Sequence, residues 1–484
     1  MAVEDSVAER KGEPKIDPEK TNPEKPDPEK DAPQGADDTE GVTADFVGEV
    51  VERLDAGDTE WLRSSVSDMW AADIADLFEA LDPERRETLV GAVKDVVDPE
   101  AFAEIDEDLR EAILDQLEPH EIAAAVGQLD TDDAIEIVAD MDEEEREAVL
   151  ARLPEADSVL IRRGLEFDEY SAGRLMQREM LAVPAFWTVG DTIDFMRSSP
   201  VVPDDFYDIF IVDPRHRPLG ALPLSRLLKS RRGVHVQDIM TADLTPVSVD
   251  MDQEALANVF RRQDLVSAPV VDARGRLVGV VTVDDIVDVI DEEHEEDVMR
   301  LGGLSGDDLY RAAFQTTKSR FPWLLTNLGT AVMASLVIAQ FDATIQQIVA
   351  LAVLMPIVAS MGGNAGTQTL TVVVRALATR ELSRGNALRL IGKEVIVGTA
   401  NGAAFAIVAG LMAWVWFSDP LLGGVIAVAM VINLISAGLF GAAIPVILER
   451  FKIDPAIAST VLLTTVTDVV GFFAFLGLAA AVLI

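Results

Sequence analysis

Cysteine is absent from the 484 residues, so the chain has no disulfide framework and no thiolate to hold a metal or attack a substrate. Histidine is scarce, with four in all. Any bound metal must therefore be a hard cation held by oxygen. There is no glycine-rich loop with a lysine to cradle phosphates and no group poised for hydrolysis, which argues against an ATP-driven pump and against an enzyme. Basic residues are also few, 40 against 84 acidic ones. A net charge of -44 excludes nucleic acid as a partner. The N-terminus carries acid early and has no apolar h-region, so no signal peptide is expected.

The acid is unevenly placed. From Arg311 onward there are 10 Lys/Arg and 7 Asp/Glu, which leaves 30 against 77 for the first 310 residues. Adaptation of soluble domains to a salty cytoplasm, a halophile-like composition, accounts for such a surface. So do cation-binding faces, and the two are compatible. Residues 1–41 read as a disordered Pro/Glu-rich tether, with Asp17-Pro-Glu-Lys20, Asn22-Pro-Glu-Lys25 and Asp27-Pro-Glu-Lys30 recurring every five residues and nothing apolar to bury. Residues 42–170 read as an all-α acidic helical repeat. Leu81, Val93, Ile105, Leu117, Leu129, Met141 and Leu153 recur at twelve-residue spacing, most followed by a capping acid and an amphipathic turn or two. Helices this short must stack to be stable. His120 reads as a surface or capping residue.

Two similar α/β units follow, over residues 171–236 and 237–294. Each runs helix, strand, short turn, strand, helix. The strands Ile209–Val212 and Ala268–Val271 lead into turns at Asp213 and Asp272. The tandem resembles a pair of CBS domains, regulatory modules that can bind adenine nucleotides. That resemblance implies ATP or a relative at the second domain, through the Gly-x-x-Thr-x-x-Asp signature Gly279, Thr282 and Asp285. The first unit has Gly220, Pro223 and Arg226 in those places. Asp285 has a plainer role open to it, as an acid in the first turn of a helix.

Asp284, Asp285, Asp288, Asp291, Glu292, Glu293, Glu295, Glu296 and Asp297 then run into a connecting helix expected over residues 295–320. Repulsion among so many like charges would be relieved by a divalent cation. Beyond it, 321–484 reads as five membrane spans, roughly Phe321–Phe341, Ile345–Val374, Leu388–Phe417, Leu421–Leu448 and Ala456–Ile484. Arg375, Arg380, Arg384, Arg389 and Lys393 lie between spans two and three, and Arg450 and Lys452 between four and five. The chain is thus expected to be a multi-pass protein of the cell membrane with a cytoplasmic N-terminus and an outer C-terminus. Span two contains Pro356 and Gly362-Gly-Asn-Ala-Gly-Thr-Gln368, which suggests close backbone approach or an unwound turn. Span five carries Asp468 about twelve residues, or roughly 18 Å, from its start. An unpaired carboxylate there is costly, and the basic candidates lie at span ends. A bound or passing cation explains it, and protonation is the alternative.

The arrangement resembles the MgtE family of magnesium channels, related to eukaryotic magnesium solute carriers, from about Val42 to Ile484. The carrying motifs are Pro356 with Gly362-Gly-Asn-x-Gly366-x-Gln368, Lys393-Glu394-x-x-x-Gly398, and Asp454-Pro-Ala-x-Ala-Ser459 with Thr464-Thr-x-x-Asp468. The resemblance implies a homodimer with its pore between subunits. Asp468 would hold hydrated Mg²⁺ and Asn364 flank the path, while Thr464 and Thr465 help to size the ion. Cytoplasmic Mg²⁺ on Asp285, Asp288, Glu296 and Asp297 would close the channel. Two rivals remain, a carrier exchanging a divalent cation for H⁺ or Na⁺, and a membrane-anchored CBS sensor that transports nothing.

Overall fold

The computed structural model describes residues 36–37, 41–199, 202–203, 206–304, 313–382 and 385–484. The tail up to residue 35 and Arg384 lie outside them. Inside the stretch read as tail, β1 (Ala36–Asp37) pairs antiparallel with β2 (Gly41–Val42). The chain divides into two compact units, one of residues 1–129 with 136–153, the other of 130–135 with 154–484.

Ten short helices follow β2: α1 (Ala44–Ala56), α2 (Thr59–Ser67), α3 (Ala71–Ala80), α4 (Pro83–Val93), α5 (Ala101–Glu104), α6 (Glu107–Leu114), α7 (Pro119–Val126), α8 (Thr131–Asp140), α9 (Glu143–Leu150) and α10 (Glu155–Gly164). Apart from α5, starts from α2 onward keep the twelve-residue step. Recurring chemistry sets it. Asp58, Asp82, Asp106 and Asp142 each accept a backbone N–H from the turn they cap. Four residues after three of these caps comes an arginine. Arg86 donates to Phe78 O and Leu81 O at 2.7 Å, and Arg146 to Val138 O, Ala139 O and Met141 O, each closing the end of the preceding helix. Arg110 is buried and pairs with Glu136 at 2.6 Å instead.

The α/β pair is duplicated in detail. β3 (Leu181–Pro184), α11 (Val189–Ser198), β4 (Asp208–Val212), β5 (Pro218–Pro223) and α12 (Leu224–Lys229) form the first module. After α13 (Val236–Ile239), β6 (Val247–Ser248), α14 (Gln253–Gln263), β7 (Ser267–Val271), β8 (Leu277–Thr282) and α15 (Val283–Gly302) form the second. In each sheet the first strand is parallel to the second and the third antiparallel, with a register shift at Ile211/Val212 and at Val270/Val271. Asp213 and Asp272 each accept the N–H groups two and four residues on. One boundary differs from the sequence reading. Ala172 and Met176 pack in the second module's core, and Gln177 bridges to Val280, so the segment from Ser171 to Met180 completes the second sheet rather than opening the first.

The connecting helix also differs. α15 runs without a break from the second module to Gly302, and 313–320 already belongs to the first long apolar helix, α16 (Ala313–Ala339). Gly303, at φ 81°, makes the turn that ends α15, and Trp323 occupies the space a side chain there would need. α17 (Asp342–Gln347) is a short link. α18 (Ala350–Ala378), α19 (Ala387–Phe417), α20 (Pro420–Arg450) and α21 (Pro455–Val482) complete five helices long and apolar enough to span a bilayer. The chain is therefore a multi-pass membrane protein in architecture.

Helix α20 is the hub of this bundle, packed on α18, α19 and α21. Its seam with α19 is built of glycine. A side chain at Gly438 would meet Glu394 O at 2.6 Å, and one at Gly423 would meet Gly410 O at 2.6 Å. Between lipid-soluble helices such backbone approach supplies the packing that water cannot drive. The unwound turn suggested for span two is not present, since α18 is continuous through Pro356 and Gly362–Gly366. The glycines there serve close approach instead. Gly362 has no room beside Asn433 of α20, whereas Gly363 faces open space. Gly362→Val is expected to cost about 3 kcal/mol or more and to abolish recovery of folded, monodisperse protein in detergent, while Gly363→Ala is recovered normally by the same size-exclusion assay.

Candidate ion pathway and regulatory cluster

Asp468 lies thirteen residues from Pro455 and fourteen from Val482, at the middle of α21. Asn364 lies fourteen residues from either end of α18. Both thus sit near mid-membrane, about 20 Å along the helix from each end. Asn433 ties the two depths together. It is fully buried, donates to Val358 O at 2.8 Å, and fills the space beside Gly362 of α18 and Gly471 of α21. Gly366 rests on Leu463 one turn further along. The Asn433 Oδ1 and Ser436 Oγ atoms are buried without a hydrogen-bond partner.

Among the described residues no ion pair or hydrogen bond involves the Asp468 carboxylate. Thr464 and Thr465 share its side of α21 in part. Their hydroxyls donate back to Thr460 O, at 3.0 Å, and to Val461 O, at 2.6 Å. The protons are thereby spent on the helix, and the remaining oxygen lone pairs can accept only from a ligand, a hydrated cation being one. Asn364 is exposed and donates to Ser360 Oγ at 3.3 Å. With Thr367, Gln368 and Thr371, also exposed, these residues form a polar stripe on the middle of an apolar helix. A second carboxylate, Glu394, is buried in the bundle and accepts from Thr369 Oγ1 at 3.2 Å, with Lys393 Nζ 3.6 Å away. Glu394 belongs to the motif Lys393-Glu394-x-x-x-Gly398, which by itself assigns it no role.

The acids outside the apolar helices fall into two groups. Asp285 is half-buried at the start of α15, where its Oδ2 accepts from the Thr282 N–H at 3.2 Å and the Thr282 hydroxyl at 2.9 Å. This capping box is the plainer role considered for it. Asp132, missed in the sequence, faces it from the first turn of α8. That turn is fixed by Glu179, which accepts from the Thr131 hydroxyl at 2.6 Å and from Thr131 N–H. Both Asp132 carboxylate oxygens are buried without a hydrogen-bond partner. Burial, then repulsion from Asp285, Asp133 and Asp130, pushes Asp132 well above the usual carboxylate range. Asp285 is pushed up to about 6 by burial first and Asp284 second, with Asp288 contributing. The packed state therefore binds protons that an exposed state would release. Its stability is fullest below the ordinary carboxylate pKa near 4 and is lost as pH rises through about 6. Only the register of acids along α15 hinted at this cluster; Asp132 gave no pattern of its own.

Glu296 and Asp297 form the second group, further along α15. Burial raises both, with Asp454 adding to each. This group contains a base, since Arg300 contacts Glu296.

Between the two modules lies a cleft of about 100 Å³ whose lining includes Phe206, Tyr207, Asp208, Ser267, Thr282 and Asp284. Of the expected nucleotide signature, Thr282 faces this cleft. Gly279 instead lets Met176 and Gln177 O approach β8, within 2.8 Å of where a side chain would start.

Residues 355–478 match a family described as a divalent cation transporter, 69–170 the MgtE intracellular N domain, and 236–292 the CBS domain. The chain is similar to the magnesium transporter MgtE of Thermus thermophilus, at 35% identity over 66% of this chain and 71% of that one. It is similar also to that of Bacillus subtilis, at 32% identity over 67% and 72%. Among solved structures, the cytosolic domain of the Mg²⁺ channel MgtE in complex with ATP aligns at 27% identity and a TM-score of 0.47, covering 50% of this chain and 99% of that one.

Proposed function

Because this chain belongs to the MgtE family, we propose that it is a magnesium channel of the cell membrane that admits Mg²⁺ and is closed by Mg²⁺ on its cytoplasmic side. The observation that carries this reading is Asp468, a carboxylate at the centre of a spanning helix with no ion pair among the described residues. A negative charge at that depth needs a cation, and Mg²⁺ gives up its water reluctantly. Asp468, Asn364, Thr464 and Thr465 would grip the hydration shell, with no covalent step required. A homodimer accounts for the polar stripe on α18. Facing lipid, Gln368 and the remaining polar atoms of Asn364 would be unsatisfied; facing a second copy across a two-fold axis, they line a wet path together with Ser360 and Thr367. The largely exposed face of α16, with Leu324, Leu328 and Leu336, also calls for a covering surface.

For regulation, Asp132, Asp285 and Asp288 are assigned to one divalent-sensitive cluster, and Glu296 and Asp297 to another nearer the membrane. Bridging these acids would hold α15 in place over the pore. An adenine nucleotide is assigned to the cleft between the CBS modules, where Tyr207 and Phe206 offer a stacking face and Thr282 a hydroxyl. The basic residues between α18 and α19 and between α20 and α21 support a cytoplasmic N-terminus and an outer C-terminus.

The test is flux through the full-length protein reconstituted in liposomes, with Mg²⁺, Mn²⁺, Co²⁺ and Ca²⁺ offered in turn and no proton or sodium gradient. Mg²⁺ currents that persist under those conditions are expected. Uptake that stops when the H⁺ or Na⁺ gradient is removed would replace the channel by an exchanger, and no uptake at all would leave a sensor.

A further inference from the structure

Arg300 lies in the last turn of α15 and joins two elements far apart in sequence. Its Nη1 is 2.5 Å from Asp454 Oδ2, and its Nη2 pairs with Glu296 one turn back on the same helix. Asp454 is the N-cap of α21, where its other oxygen accepts from Ala456 N–H at 2.7 Å. Next to the pair, Leu301 O accepts from Thr460 Oγ1 at 3.2 Å. The Leu301 side chain packs with Leu370, Ile444 and Leu463 at one end of the bundle. An isolated surface ion pair would contribute little. This one differs in three respects. Its side chains are all less than a third exposed (30, 32 and 26%), a hydrogen bond and an apolar contact flank it, and a planar guanidinium reaches two carboxylates at once.

We infer that Arg300 is a fixed cation that seats the end of α15 on the N-terminus of the pore helix, a positioning residue that supplies within the chain part of the charge a divalent ion would otherwise bring to this joint. Glu293 adds a further acid beside Glu296 and Asp297, and His294 lies near Asp297. The Asp132–Asp285 cluster is crowded by further acids at Asp130, Asp133, Asp284 and Asp288. The joint at Glu296 and Asp454 is thus partly closed by an arginine of the chain itself. The consequence for gating rests on the channel reading, whereas the seating itself does not.

The absence of native cysteine gives a clean background for the test. Cysteines replace Leu301 and Thr460 in the full-length protein, and disulfide formation is timed in liposomes with Mg²⁺ chelated and again at saturating Mg²⁺. In chelator, Arg300→Gln and Asp454→Asn should each slow cross-linking about five- to tenfold, the double variant should be no slower than either, and Arg300→Lys should recover much of the rate. Saturating Mg²⁺ should restore Arg300→Gln by bridging the freed acids, which it would not do for a helix that had merely lost its fold. An Arg300→Gln rate equal to the parent, or losses that add in the double variant, overturns the inference. Cross-linking needs no ion flux, so failure of the channel reading would show in transport alone and leave this result standing.

Discussion

Asp468→Asn is expected to reduce Mg²⁺ uptake at least a hundredfold while leaving the protein folded. The side chain is nearly isosteric, accepts no ion pair among the described residues, and has no hydrogen-bonded neighbour there to disappoint, so its loss should not disturb the packing of α21 on α18 and α20. What it removes is charge. A single carboxylate about 5 Å from a divalent ion is worth about 6 kcal/mol at an effective dielectric of about 20. Retaining even half of that after hydration and screening corresponds to about a hundredfold in occupancy. The measurement is dye-reported uptake into liposomes, with thermal unfolding in detergent as the control for folding. Asp468→Glu, which keeps the charge but moves it by one methylene, should retain a measurable fraction. Uptake by Asp468→Asn at the parent rate would mean that the ion does not pass this residue.

That candidate site was legible in sequence because the membrane makes polar residues conspicuous. Asp468, Asn364 and the glycines of α18 each violate the expectation for a lipid-facing helix, and one explanation covers all three. The twelve-residue step of the helical repeat and the duplication of the α/β module were legible for a similar reason, since periodic capping acids and matched turns leave a regular record. The failures have a common physical cause as well. Pro356 and Gly362-Gly363 suggest a broken helix from local preference, but in an apolar bundle an unwound turn would strand backbone groups, and Gly362 is used to admit Asn433. The expected boundary at residue 171 and the separate connecting helix both missed a strand-like segment and a helix that continue across the apparent joints. Asp132 could not be found at all, because nothing local distinguishes it from Asp130 or Asp133. Its standing comes from Glu179 holding Thr131, 48 residues before it, so that the next side chain turns inward.

That inward turn carries the other large effect. Asp132, its carboxylate oxygens buried, and the half-buried Asp285 repel one another. At neutral pH without a divalent ion, the packing of residues 130–135 against α15 is opposed by their charge; a bound Mg²⁺ reverses the sign. Asp132→Asn combined with Asp285→Asn should therefore do two things that pull in opposite directions for an ordinary loss of contact. In chelator the double variant should be more resistant to limited proteolysis than the parent, because the repulsion is gone while the amide oxygen introduced at position 285 can still accept from Thr282. On adding Mg²⁺ the parent should gain protection and the variant should not, with the half-closing internal Mg²⁺ concentration of the channel shifted at least tenfold or the response flattened altogether. If the variant is instead less protected in chelator, the pair contributes ordinary packing contacts. If it still closes at the parent's Mg²⁺ concentration, the regulatory ion binds elsewhere, and the group at Glu296 and Asp297, partly neutralised by Arg300, becomes the remaining candidate.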